Sequence, residues 1–369
     1  MRYVQINSFY NGSTGTIMRN LHEELKEQGV DSYIFWGRRH ETISDHEACC
    51  ASKLGVYAHG ILSRLTDRVG FYSKRDTRRL LERLEAIDPD VVHLHNIHGY
   101  YINIEMIFEW LANHRCQVKW TLHDCWAFTG HCPYFTYVNC DRWLASCHDC
   151  PQKREYPKSF LADASERNFH DKKHLFNLVP LGRMEIVTPS QWLADLVGRS
   201  FLSKYPVTVK HNTVDRSVFK PTPGDFRKRY SLEDKFVILG VASPWTERKG
   251  LDDFMRLAHY LDFSKCAIVL VGLSLKQIKV LPQGVIGLTR TDSPQELVGI
   301  YSATDVFLNP TREDNYPTVN LEAEACGTPV VTYSTGGCPE TVRCEGSRVV
   351  DDLNGAIRAM KEINGKVFA

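Results

Sequence analysis

The 369-residue chain lacks any run of about twenty apolar residues, which excludes a membrane-spanning helix. It also lacks net charge of either sign: 45 Lys and Arg stand against 44 Asp and Glu. A balance of +1 gives no global attraction to nucleic acid, so any electrostatic contact must be local. No internal repeat and no low-complexity linker interrupts the chain. Met1 to Ile6 goes straight into a strand-like run, without the apolar stretch of a secretory signal. That predicts a cytoplasmic protein whose twelve cysteines stay reduced. What remains is an ordinary soluble composition, 43% hydrophobic and 24% charged, long enough for two domains.

Short β-branched runs alternate with amphipathic helices, which predicts α/β domains with parallel sheets covered on both faces. Strands are expected at Tyr3–Ile6, Ser32–Trp36, Val91–His95, Val118–Leu122 and Ile186–Thr188. A second series follows at Phe236–Val241, Ala267–Val271, Val306–Asn309 and Pro329–Tyr333. The helix beginning near Gly15 should bury Ile17, Leu21 and Leu25 and end at Gly29. Further helices should begin near Gly250, Ser293 and Thr318. Pro221 and Pro223 flank a non-periodic connection. The expected organisation is a Rossmann-like domain over 1–215, a second over 216–350, and a last helix in 351–369 that either stays with the second or crosses back. Doubly wound domains bind ligands at the carboxyl ends of their strands, so a cleft between the two is the expected site.

The stretch from Thr311 to Val331 carries the sharpest signal. Asp314 lies in a loop and Glu322 eight residues later on a short helix. Asn315 and Thr318 can satisfy the first helical amides, Pro317 suits the first turn, and Gly327 stops the helix. A helix N-terminus suits a phosphate-bearing ligand. One turn in, Glu322 can accept hydrogen bonds from ribose hydroxyls, and Asp314 can do the same for a sugar ring. Asp314-Asn315-Tyr316-Pro317-Thr318 and the following Glu-Ala-x-Ala-Cys-Gly-Thr-Pro-Val-Val resemble the carboxylate–seven–carboxylate signature of retaining GT-B glycosyltransferases of family four. The resemblance covers most of the chain and is sharpest from about 236 to 345. The family's usual first acid is Glu; here it is Asp314, with Glu313 beside it, and either carboxylate can be the one that meets the sugar.

The resemblance implies two facing Rossmann-like domains and transfer of a hexose-type sugar from a nucleoside diphosphate, UDP or GDP, to a glycan or polyprenyl-linked acceptor in bacterial polysaccharide biosynthesis. Arg248 and Lys249, between a strand and the helix-starting Gly250, are placed to neutralise the leaving diphosphate. Lys249 matches the family's Lys, whereas the family's Arg position falls near Ser243, leaving Arg248 as its candidate stand-in. Thr289 lies in a loop resembling the one whose backbone reads the nucleobase. In the first half, Gly12 and Gly15 shape a strand-to-helix loop that in related enzymes lies beneath the donor phosphates and the acceptor hydroxyl. His123, at a strand end beside Asp124, matches a family His close to the transferred sugar. His95 and His98 sit in a loop resembling an acceptor-binding one. A front-face mechanism is likewise implied, and it needs no enzymatic base. No Asp-x-Asp stands at a strand end in the second half, which argues against obligatory Mg²⁺.

Cys132, Cys140, Cys147 and Cys150 are spaced C-x7-C-x6-C-x2-C within an insertion at about 125–151. Four thiols so close in a reducing compartment suit structural Zn²⁺, with His131, His148 and Cys125 as alternative ligands. Buried free cysteines and an iron–sulfur cluster are the competing readings. Between Ser63 and Arg83, Arg64, Arg68, Lys74, Arg75, Arg78, Arg79 and Arg83 are mixed with Leu62, Leu65, Val69, Phe71 and Tyr72. Such a basic amphipathic stretch can hold anionic lipid at the inner membrane face, or can be a solvated helix surface offset by Asp67, Asp76 and Glu82. The rival functions are a nucleotide-sugar epimerase of the same fold and a zinc-bearing nucleic-acid-binding protein. The neutral charge disfavours the second.

Overall fold

The computed structural model describes residues 1–368 and divides the chain into two units, Met1–His211 and Asn212–Ala369. In the first unit seven strands pair in parallel: β1 (Arg2–Phe9), β2 (Asp31–Arg38), β3 (Glu47–Cys49), β4 (Val91–Leu94), β5 (Gln117–Thr121), β6 (Met184–Thr188) and β7 (Val207–Val209). Their order across the sheet is β3-β2-β1-β4-β5-β6-β7. The second unit has six: β8 (Phe236–Val241), β9 (Cys266–Val271), β10 (Val285–Leu288), β11 (Val306–Asn309), β12 (Val330–Tyr333) and β13 (Arg348–Val350). These run in the order β10-β9-β8-β11-β12-β13. Each sheet therefore reverses its winding once, at β1/β4 and at β8/β11. In open parallel sheets, ligands bind outside the carboxyl ends of the strands at such a reversal.

Continuous apolar strands mean burial on both faces. In β8, Ile238 packs with Ile268 and Leu308 on one side of the sheet, while Val237 and Leu239 pack with Val269 and Phe307 on the other. The expected strands are all present. The edge strands β3, β7 and β13 have three residues each and were not legible, because so short a run has no periodicity of its own. The final helix, Leu353–Asn364, buries Leu353, Ala356, Ile357 and Met360 in the second unit's core.

Two expectations need correction. The first helix, Ser13–Glu27, buries Gly15, Met18, His22 and Leu25 instead of the stripe Ile17–Leu21–Leu25. The helix lies so close to the preceding turn that a Cβ at Gly15 would stand 2.2 Å from the Tyr10 carbonyl oxygen. That approach turns Gly15 inward, and His22 then meets the Ser32 hydroxyl at 2.8 Å. The basic stretch after Ser63 is not one amphipathic element either. It belongs to two helices, Lys53–Thr66 and Lys74–Ile87, with Asp67 and Ser73 in left-handed conformations between them. Within it, Arg68 binds Asp171 at 2.7 Å and Val69 is buried in the core. The exposed large apolar side chains here, Leu54, Tyr57, Ile61, Leu62 and Leu65, all lie on the first of these helices, Lys53–Thr66. No helix among the described residues is long and apolar enough to cross a membrane.

Candidate active site

In the second unit β8 and β11 are hydrogen-bonded neighbours, so the loops at their carboxyl ends lie side by side. The loop after β8 carries Arg248 and Lys249; the loop after β11 carries Glu313 and Asp314. They are stitched together: the Arg312 amide donates to the Arg248 carbonyl at 2.8 Å, and the Arg248 guanidinium donates to the Glu313 carbonyl. Lys249 Nζ forms an ion pair with Asp314 Oδ2. Burial by itself would raise the Asp314 carboxyl, but Lys249 and Arg248 more than offset it and hold the group below the usual carboxylate range. Asp314 is therefore ionised at neutral pH. Of the two neighbouring acids, Glu313 is wholly buried, whereas the Asp314 side chain keeps 15% exposure.

The helix Thr318–Ala325 starts with Pro317 at its cap and Thr318 as its first residue, so Pro317 stands one position earlier than expected. The Thr318 hydroxyl is bonded to Glu322 one turn on, and the Asn315 backbone N–H donates to Asp314 Oδ1 at 2.9 Å. Glu322 Oε2 also accepts from the buried Tyr301 hydroxyl at 3.1 Å. Burial raises the Glu322 carboxyl, partly offset by those two hydrogen bonds. Tyr316 is buried, its hydroxyl 3.1 Å from Arg343 Nη2. Asn309, Asn320 and Thr341 form a buried chain of 2.8 Å bonds that pins the helix to β11. Thr289 is exposed just after the edge strand β10.

In the first unit the β4 and β5 ends carry a stack of imidazoles. Ring centroids are 4.3 Å apart for His93 and His95, and 5.5 Å for His95 and His123. The Gln5 amide nitrogen donates to the Met18 carbonyl, so its oxygen accepts from His95 Nε2–H at 3.1 Å. His95 Nδ1 must then accept, which makes His123 Nε2, 3.2 Å away, the donor. Burial pushes His123 down to about 4 and His93 to about 3, and holds His95 well below its ordinary value. All three are neutral. His95 is 1% exposed with both ring nitrogens engaged, so it orients His123. Beside them His98 bridges Asp124 at 2.9 Å and the Tyr156 hydroxyl at 3.0 Å. Burial would raise Asp124, but the neighbouring His98 and the hydrogen bonds from His98 and the Trp126 amide lower it overall. Gly12 stands at the N-cap of Ser13–Glu27 with φ 87°.

The same unit holds a cavity of about 800 Å³, lined among others by Arg38, Arg39, Lys53, Arg64, Tyr57 and Tyr100. The cysteines Cys132, Cys140, Cys147 and Cys150 line a separate cavity of about 10 Å³.

A family model described as Glycosyltransferase Family 4 matches residues 14–218, more than half of the chain. The chain belongs to glycosyltransferase family 4. A model described as Glycosyl transferases group 1 matches residues 235–363. Among curated proteins, one of Escherichia coli (strain K12) named as a colanic acid biosynthesis glycosyl transferase, WcaC, is 25% identical over 374 residues, covering 95% of this chain and 88% of the relative. Sucrose-phosphate synthase from Thermosynechococcus elongatus superposes with a TM-score of 0.71 at 17% identity, over 99% of this chain and 90% of that one. Anabaena HepE in complex with UDP-glucose gives 0.60 at 16% identity, over 99% and 90%. These neighbours place the family-four chain in the GT-B fold class.

Of the residues marked in this glycosyltransferase from its sequence, the fold brings Arg248, Lys249, Asp314 and Glu322 onto the loops and helix at the β8/β11 reversal. It joins His95 to His123, and His98 to Asp124. Sequence reasoning missed the loop after β12. There Gly337 N–H donates to the Asp314 carbonyl at 3.0 Å, and a Cβ at Gly336 (φ 55°) would sit 2.0 Å from that oxygen. The Gly-Gly pair after a buried strand was the available signal. The basic cavity was missed because β2, β3, a helix and the β4 loop each supply part of it, and adjacency across a sheet leaves no linear spacing.

Proposed function

We propose that this glycosyltransferase moves a hexose-type sugar, with retention at the anomeric carbon, from a UDP- or GDP-sugar to a glycan or lipid-linked oligosaccharide in polysaccharide biosynthesis. The observation that carries the reading is the Lys249–Asp314 ion pair at the β8/β11 reversal, with Arg248 tied to the same loop. An ionised Asp314 accepts hydrogen bonds from sugar hydroxyls, while Lys249 and Arg248, with the dipole of the helix at Thr318, take up charge on the departing diphosphate. Glu322 holds the ribose. The acceptor hydroxyl attacks from the face the diphosphate leaves, and a leaving phosphate oxygen receives its proton. His123, oriented by His95, stays neutral and hydrogen-bonds the sugar without adding a cation. The UDP-glucose complex of the Anabaena protein supports a uridine donor, and the E. coli relative's name supports polysaccharide synthesis.

The basic cavity suits the phosphates of a lipid-linked acceptor, and the exposed apolar side chains of Lys53–Thr66 suit an anionic membrane surface. The test is thermal-shift binding over a panel of UDP- and GDP-sugars, with wild type and Glu322→Gln. Stabilisation by one nucleotide sugar, lost in the variant, is expected. Silence across the whole panel would overturn the donor assignment.

A further inference from the structure

The sugar-transfer reading leaves four cysteines unused. The segment Trp126 to Cys150 carries three 3-10 turns of three residues each, so little of its backbone is held by regular hydrogen bonding. Yet it follows His123 and Asp124 directly and must hold its shape for them to hold theirs. We infer that Cys132, Cys140, Cys147 and Cys150 form a structural Zn²⁺ site that fixes this segment.

The four cysteines line one cavity of about 10 Å³, although among the described residues no three of their sulfurs lie within 4.8 Å of one another before an ion binds. The Cys132 and Cys150 thiols are hydrogen-bonded to each other, and Cys147 lies within electrostatic reach of Cys140 and Cys150. The Gly130 N–H already donates to Cys147 Sγ at 3.1 Å, a bond that strengthens when the sulfur is a thiolate. Arg142 clamps the turn by donating to the His148 carbonyl at 2.7 Å and to that of Asp149. Phe128, Phe135 and Trp143 form a ring cluster beside the sulfurs, with centroids 4.9 to 6.3 Å apart. Thiolates next to such an apolar shell need a bound cation to offset their desolvation. Four soft sulfur ligands select zinc over hard divalent ions.

Among the described residues, the group whose ligand atoms all lie within 4.8 Å of one another is His22, Glu23 and Glu47. There, however, Glu23 is exposed and paired with Lys26 at 3.3 Å, and His22 Nδ1 is bonded to Ser32. The sulfurs close in on the ion as it binds, each losing its proton to solvent. The zinc makes no contact with substrate; it stabilises the segment that follows Asp124.

Elemental analysis of protein purified from zinc-supplemented culture without chelator tests this. One zinc per chain is expected, released by a mercurial in step with four thiols. Cobalt substitution should give the charge-transfer and ligand-field bands of a tetrahedral thiolate site. Cys140→Ser should lose the metal, and Cys344→Ser, at an exposed cysteine elsewhere, should keep it. If Cys140→Ser does not fold, the mercurial release and the cobalt spectrum of the wild type decide. Zinc-free wild type, a Cys132–Cys150 disulfide in the peptide map, or zinc lost in His22→Ala and kept in Cys140→Ser would each overturn the site.

Discussion

The two units each build a polar site at the carboxyl ends of parallel strands, but from different side chains. Every histidine of the chain except His259 lies in Met1–His211, and the site there includes a stack of buried neutral imidazoles. The Asn212–Ala369 site is built from ions: Lys249 with Asp314, and Arg248 on the Glu313 carbonyl. The proposed function accounts for the difference. A diphosphate leaving group needs fixed cations, whereas sugar hydroxyls are best held by groups that donate and accept without charge. Each arrangement also has its own cost. Removing one partner of a buried ion pair leaves an uncompensated charge, and acid threatens a buried neutral imidazole.

The largest expected effect comes from breaking the ionic side. Lys249→Ala should lower kcat by about 10²–10³-fold, the usual cost of one electrostatic contact to a transition state. Single-turnover kinetics checks it, and an unchanged kcat would remove Lys249 from the chemistry. Next, Glu322→Ala should abolish the thermal shift by donor and also leave the buried Tyr301 hydroxyl without its carboxylate, costing about 1–3 kcal/mol in stability. Glu322→Gln separates the two effects, keeping an acceptor for Tyr301 while losing the charge. Equal denaturation midpoints for the Ala and Gln variants would argue against the Tyr301 contact.

Leu54→Glu with Ile61→Glu should weaken binding to anionic phosphatidylglycerol vesicles about tenfold or more, since each apolar side chain buried contributes about 1.5–3 kcal/mol. Sedimentation with vesicles reads this, and unaltered binding would dismiss these side chains as a membrane contact.

The smallest effect sharpens the comparison through pH. The folded-state values of His93, His95 and His123 lie below the ordinary 6.5, so the unfolded chain binds more protons below that pH. Their contribution to stability is whole above 6.5 and shrinks as pH falls toward about 4. Asp314 is depressed, so its contribution persists through that window and fades only below the ordinary carboxylate value of 3.8. A tenfold weaker hold on a single proton in the folded state already amounts to about 1.4 kcal/mol, or about 2–4 °C in Tm for a domain this large. Melting followed by fluorescence should show the first unit, which holds every tryptophan but Trp245, weakening between pH 6.5 and 4. A flat profile there would mean the imidazoles are not buried neutral.

The sequence by itself determined the two sheets, the signature from Asp314 to Glu322, the Lys249–Gly250 helix start and the strand-end His123. All are local facts: apolar runs, an eight-residue spacing and breaker residues are written along the chain. Tertiary structure decided the rest. It chose Asp314 over Glu313 as the carboxylate beside Lys249, because β11 packs against β8 and the second loop buries Glu313. It turned the first helix onto Gly15 and Met18, because the helix backbone had to approach Tyr10. It brought Gly336 against Asp314, and gathered Arg38, Lys53 and Arg64 around one cavity. These outcomes depend on which strands lie side by side, and sheet order is set by packing between segments far apart in the chain.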